Sequence, residues 1–151
     1  MIILVINCGS SSIKYQLLDM KSDEVYDLLA KGIVEKIGLE TGRLQHTVIG
    51  KDKVVKDLPV PDHKVGMKLV LEALTDSEHG VLKSLDDIEA VGHRIVHGGE
   101  FFSSSALVNE DVMKKIEICC DFAPLHNPAH ILGIRAVQHV LPSVPQVVTF
   151  D

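Results

Sequence analysis

Three short stretches hold residues whose types and spacing can do chemistry. The first is Asn7-Cys8-Gly9-Ser10-Ser11-Ser12-Ile13-Lys14. A turn of glycine and serine presents backbone N–H groups and hydroxyls with little steric obstruction. Such a concavity suits phosphate oxygens, and Lys14 adds a point charge. It is not a Walker A loop, because GxxxxGK[ST] is missing and a strand rather than a helix follows. An ordinary hairpin turn of polar residues fits the same composition.

The second stretch is Gly92-His93-Arg94-Ile95-Val96-His97-Gly98-Gly99. With the period of two of a strand, Arg94 and Val96 share one face. That pairing suits a short carboxylic acid: the guanidinium forks the carboxylate and the valine faces the alkyl end. A surface arginine paired with a carboxylate such as Glu100 is the alternative. His93 and His97 are four apart, as in a zinc-binding helix. No glutamate stands between them, and the β-branched Ile95-Val96 favours a strand, so a metal site is not expected there. In the third stretch, Ala123-Pro124-Leu125-His126-Asn127-Pro128, His126 sits just before a helix N-terminus. It is placed either to meet a phosphoryl or carboxyl group with help from the helix dipole, or to hold the loop as a structural histidine. Cys119-Cys120 reads as packing, and His46, His63, His79, His130 and His139 as structural or solvent-facing.

These stretches need elements to position them. Ile2 to Ile6 is a continuous apolar run, expected as a strand buried on both faces. Ile13 to Leu18 makes a second strand and closes a hairpin over the Gly/Ser turn. Val25 to Ile37 holds one or two strands interrupted at Gly32. Leu44, His46 and Val48 alternate as in a half-exposed strand, and Val54-Val55 begins a return strand. Asp62 caps a helix to about Thr75, with Met67, Val70, Leu71 and Leu74 on one face. Ile88 to Val96 is a strand. Asn109 caps a further helix, and Asn127-Pro128 opens another that runs to Leu141. Gln146 to Phe150 is the last strand. Strands first and alternating helices and strands after indicate one α/β domain. Asp151 directly follows that strand, at the edge where α/β sheets collect ligand groups, so the expectation is a cut through something larger.

Composition narrows the function. The net charge of −6 over 151 residues argues against a general nucleic-acid binder, though one local basic pocket is compatible with it. The three cysteines, two of them adjacent, make no disulfide framework or zinc motif, which fits a reducing, cytoplasmic setting. The N-terminal apolar run lacks a basic flank and is too short for a signal or membrane span. No nucleic acid or membrane partner is expected.

Together the motifs resemble the acetokinase family, over the whole chain from Met1 to Asp151. Ile-Asn-Cys-Gly-Ser-Ser-Ser-Ile-Lys matches its first signature, and His93-Arg94-Ile95-Val96-His97-Gly98-Gly99 its second. Ala-Pro-Leu-His-Asn-Pro at 123–128 and Val-Val-Thr-Phe-Asp at 147–151 match two further stretches in order. Butyrate kinases lack the second motif, whereas propionate kinases share it. The resemblance implies an actin-like, ribonuclease-H-like domain with a mixed sheet, of the acetate and sugar kinase/Hsp70/actin superfamily. It implies that residues 1–151 are the N-terminal domain of a two-domain kinase whose C-terminal domain is missing, so that the chain alone is inactive. The implied reaction is ATP + acetate giving ADP + acetyl phosphate, with Mg²⁺, in an intact homodimer. By resemblance, Asn7 helps hold the magnesium, and Ser10, Ser12 and Lys14 surround the phosphates. Arg94 meets the substrate carboxylate, Val96 and Leu125 wall the acetyl pocket, His126 lies near the transferring phosphoryl, and Asp151 is the essential aspartate. A propionate kinase fragment and a stand-alone phosphate- or partner-binding module are the competing expectations.

Overall fold

Alternating apolar residues in the first sixty positions build a meander. β1 (Ile2–Cys8) turns into β2 (Ile13–Met20), followed by β3 (Tyr26–Glu35), β4 (Gly42–Val48) and β5 (Val54–Leu58). Each pairs antiparallel with the next, and a register shift between Leu17 and Leu18 marks a bulge in the β2–β3 ladder. The computed structural model describes residues 1–22, 25–95, 106–118 and 127–150. After α1 (His63–Thr75) the chain returns in β6 (Ala90–Ile95), parallel to β1. Then come the two-residue β7 (Ala106–Leu107), α2 (Glu110–Ile118), α3 (Asn127–Val140) and β8 (Gln146–Phe150), which runs parallel to β6. Among the described residues the sheet has eight strands in the order β5-β4-β3-β2-β1-β6-β8-β7. An antiparallel meander joined through β1 to a parallel half is the mixed sheet expected of the actin-like, ribonuclease-H-like class.

The helices begin where the sequence predicts. Asp62 accepts a 2.8 Å hydrogen bond from the Val65 N–H, and Asn109 Oδ1 accepts one of 2.9 Å from Val112 N–H. Met67, Val70, Leu71 and Leu74 of α1 are buried, as are Ile134, Ala136 and Val137 of α3. The three helices cover one face of the sheet. Their core partners there include Leu4, Ile6, Ile13 and Leu17, with a second cluster of Val112, Met113, Ile134 and Val148. A Cβ at Gly133 would lie 2.4 Å from Cys8 Sγ, so the glycine lets α3 lie down on β1. Among the described residues no helix is long and apolar enough to cross a membrane.

Two expectations are corrected. β1 is not buried on both faces: Leu4, Ile6 and Cys8 are enclosed, whereas Ile3, Val5 and Asn7 are only half-buried. Among the described residues the helices lie on the Leu4 side alone, which leaves the Val5 side as a floor. Nor does Gly32 interrupt a strand. Tyr15, Gly32 and His46 stand in one row across β2, β3 and β4. The Tyr15 ring crosses the glycine to bring its hydroxyl within 2.6 Å of His46 Nδ1. A Cβ at Gly32 would lie 2.3 Å from that hydroxyl and from the Gln45 carbonyl oxygen. The glycine is a gap the ring fills within a continuous ten-residue strand.

Candidate anion and carboxylate site

The site is built where β1, β2 and β6 end or begin together. Asn7 pairs with Lys14 across the β1–β2 ladder, and Ile6 pairs with His93, so Arg94 is one step further along β6. The pleat sends Asn7, Lys14 and Arg94 to the face that the described helices leave open. All three line one cavity of about 430 Å³, floored by Val5 and Ile33. Lys31 and Lys53 line its far side, and among the described residues no aspartate or glutamate lines it. Lys53 Nζ donates to Gln45 Oε1 at 3.2 Å, and Gln45 Nε2 donates to Glu35 Oε1 at 2.8 Å, so the far side is tied into a polar chain. A protein of net charge −6 thus gathers four cationic side chains around one cavity. Anions are drawn to such a place.

His93, adjacent to Arg94, points the other way. It is buried on the helix face, where its Nε2 donates to Gln146 Oε1. Burial pushes its pKa down to about 4, with the Gln146 bond opposing and His130 assisting. It is therefore a neutral structural histidine, not an acid-base group near neutrality. Cys8, in the middle of the first motif, is likewise turned inward. Burial pushes its thiol up to about 12, so it is no nucleophile.

The turn between β1 and β2 adjoins the cavity. Ser10 and Ser11 are exposed and Ser12 is half-buried; Ser10 and Ser12 do not line the cavity itself. Three bonds shape the turn. Gly9 N–H donates to the Ser12 carbonyl at 2.9 Å, Ile37 N–H donates to the Ser11 carbonyl at 3.0 Å, and His63 Nε2 donates to the Gly9 carbonyl at 2.8 Å. His63, buried in the first turn of α1, is a contributor to this site that sequence reasoning passed over. Fifty-four residues separate it from Gly9, and no local pattern announces the contact. Val96, Leu125, His126 and Asp151 lie outside the described residues, as do His97, Glu100 and the Cys119-Cys120 pair.

Magnesium asks for hard oxygen ligands, ordinarily with one or two carboxylates. The cavity offers the Asn7 amide oxygen and other neutral groups among four cations. Among the described residues no cluster of three His, Cys, Asp or Glu could hold a metal. These residues by themselves do not make a resident magnesium site; their charge suits an anion.

A profile of the Acetokinase family matches residues 2–151. The chain belongs to the acetokinase family. It is 57% identical over 148 residues to the acetate kinase of Clostridium acetobutylicum, covering 98% of this chain and 36% of that protein. It is 54% identical over 149 residues to that of Thermoanaerobacter pseudethanolicus, covering 99% and 36%. The chain thus spans a little over a third of the length of these curated relatives. Among solved structures, Porphyromonas gingivalis acetate kinase superposes with a TM-score of 0.95 at 45% identity, over 99% of this chain and 37% of that one. A Francisella tularensis propionate kinase superposes with a TM-score of 0.87 at 40% identity, over 99% and 36%. The acetokinase matches confirm the α/β fold class expected from the motifs.

Proposed function

We propose that this chain carries the phosphate- and carboxylate-binding part of an acetate kinase, which transfers a phosphoryl group between ATP and acetate to give ADP and acetyl phosphate. The observation that carries this reading is the convergence of Asn7, Lys14 and Arg94, from three strands, on one cavity. The acetate reading, over propionate, is supported by the several acetate kinases that are 52–57% identical to the chain. In this reading residues 1–151 form one domain of two, working in the cytoplasm.

Acetate is already ionised at neutral pH, since an ordinary carboxyl titrates near ~4, so it needs no base to become a nucleophile. The barrier is repulsion between two anions, the carboxylate and the phosphoryl group. The protein's task is to hold both against converging positive charge. Arg94 forks the carboxylate, with Val96 and Leu125 against the methyl group. Lys14 and the Ser10–Ser12 turn take phosphate oxygens. Asn7, a neutral amide between them, orients either anion without adding charge. His126 adds a donor near the transferring phosphoryl, and Asp151 orients a basic partner. The metal enters, in this reading, on the nucleotide.

The test is a hydroxamate assay for acyl phosphate on the enzyme that contains this chain, with acetate and propionate as competing acceptors. Acetyl phosphate formation with the higher kcat/KM for acetate supports the reading. Preference for propionate reassigns the acceptor, and acyl phosphate from neither acid removes the kinase function.

A further inference from the structure

We infer that His63 is a positioning residue for the β1–β2 turn: by taking the Gly9 carbonyl, it keeps the Ser12 N–H free for an anion. The inference rests on the phosphate-binding reading of that turn. Gly9-Ser10-Ser11-Ser12 connects two antiparallel strands as a four-residue turn. In a closed hairpin turn the carbonyl of the first residue accepts a hydrogen bond from the N–H of the fourth. Here only the reverse bond forms, from Gly9 N–H to the Ser12 carbonyl at 2.9 Å. The Gly9 carbonyl is instead held at 2.8 Å by His63 Nε2, from the first turn of α1.

The consequence is a sorting of polarity. The carbonyls of Gly9, Ser11 and Ser12 are all engaged, by His63, Ile37 N–H and Gly9 N–H respectively. Among the described residues none accepts from the N–H groups of Ser10, Ser11 or Ser12. Three consecutive donors are left without an acceptor among the described residues, on a turn with Ser10 and Ser11 exposed and Ser12 half-buried. A run of free N–H groups with its acceptors turned away is an anion-binding concavity. Without the imidazole, the Gly9 carbonyl would close on Ser12 N–H and remove a donor, while returning acceptor density to the mouth of the turn. A carbonyl accepts only, so His63 must carry its proton on Nε2, whether the ring is neutral or charged.

Reach separates this role from mere packing. The side-chain amide of glutamine extends about as far as imidazole Nε2, and that of asparagine only as far as Nδ1. The experiment titrates the ¹⁵N-labelled 151-residue chain and its His63→Gln and His63→Asn variants with inorganic pyrophosphate, following the Ser10, Ser11 and Ser12 amide resonances. The expected result is binding by His63→Gln within about twofold of the unaltered chain and weakening of about tenfold in His63→Asn. Equal affinities in the two variants would overturn the inference while leaving the phosphate reading intact. Absence of any amide response in the unaltered chain would overturn the phosphate reading, and the inference with it. Amide exchange without ligand supplies a measurement independent of either variant's folding: Ser12 N–H should exchange rapidly, and protection of it would mean that the turn is closed and the inference wrong.

Discussion

Arg94 and His93 are neighbours in sequence with opposite tasks, and each invites a separate test. Arg94 lines the cationic cavity, and in the proposed reaction it makes charged hydrogen bonds to the acceptor carboxylate. Losing such a partner typically costs ~1.5–3 kcal/mol. In the enzyme containing this chain, Arg94→Ala should lower kcat/KM for acetate more than tenfold while the nucleotide KM stays within about twofold. Steady-state kinetics with each substrate varied decides it, since equal losses for both would mean that Arg94 supports the fold. His93 acts on stability instead. Burial holds its pKa down to about 4, against the usual 6.5. The native state thus binds fewer protons than the unfolded chain between those values. Its stabilising contribution is complete above pH 6.5, declines as pH falls, and is lost at about pH 4. The shift corresponds to about 3 kcal/mol, or about 10 °C in a domain of this size. Thermal melts from pH 7 to pH 4 should show that slope in the unaltered chain and a shallower one in His93→Gln. Parallel slopes would show that His93 is not held neutral. His46 adds to the same trend: burial lowers its pKa also, although the bond to the His79 carbonyl opposes that.

At the scale of elements, the sheet separates two jobs by its faces. One face takes α1 and α3 and makes the core; the other supplies the floor of the anion site. The meander holds its register partly through the Tyr15–Gly32–His46 row, in which His46 Nε2 also donates to the His79 carbonyl at 3.0 Å. Because that carbonyl only accepts, His46 Nδ1 is left to accept from the Tyr15 hydroxyl. Gly32→Ala would push a methyl against both the hydroxyl and the Gln45 backbone. Overpacking of this kind typically costs ~1–3 kcal/mol, and loss of the buried hydrogen bond adds to it. Gly92→Ala provides the contrast, because its Cβ would meet nothing within 4 Å. Denaturant midpoints should fall clearly for the first and stay within about 0.5 kcal/mol of unaltered stability for the second, as for an ordinary surface change. Similar losses in both would refute the packing argument.

For the molecule as a whole, the described residues form a main core across sheet, α1 and α3 and a smaller cluster under α2, with one face given to an open cavity. A chain of 151 residues has the length for an independent core. In the proposed function the described cavity takes phosphate and carboxylate, and the acetate kinases the chain matches are almost three times as long. The 151-residue chain by itself should therefore melt cooperatively, bind ADP weakly and form no acetyl phosphate. Circular dichroism, a nucleotide titration and the hydroxamate assay on purified chain test the three together. Magnesium-dependent acetyl phosphate formation by this chain would mean that the N-terminal motifs suffice for catalysis.

The sequence by itself determined most of the elements, because they rest on local physics, and it singled out Lys14, Arg94 and Asn7, which the fold brings to one cavity. Alternation placed the meander, and Asp62 and Asn109 marked helix starts through their own side-chain bonds. The small residues of 9–12 and the Arg94 guanidinium were compatible with anion binding, and equally with a plain polar turn and a surface ion pair. Only the tertiary structure decided which side of β1 packs and which stays open, since an apolar run looks the same whether one or two layers cover it. It alone decided that His93 and Arg94 part to opposite faces with His93 neutral. Gly32 read as an interruption because a glycine's reason for being small lies in its neighbour, here a tyrosine ring on the adjacent strand. His63 read as one more histidine because its partner, the Gly9 carbonyl, is fifty-four residues away and is brought within 2.8 Å by the packing of α1 against the sheet. Contacts of that kind depend on where whole elements meet, which no periodicity along the chain encodes.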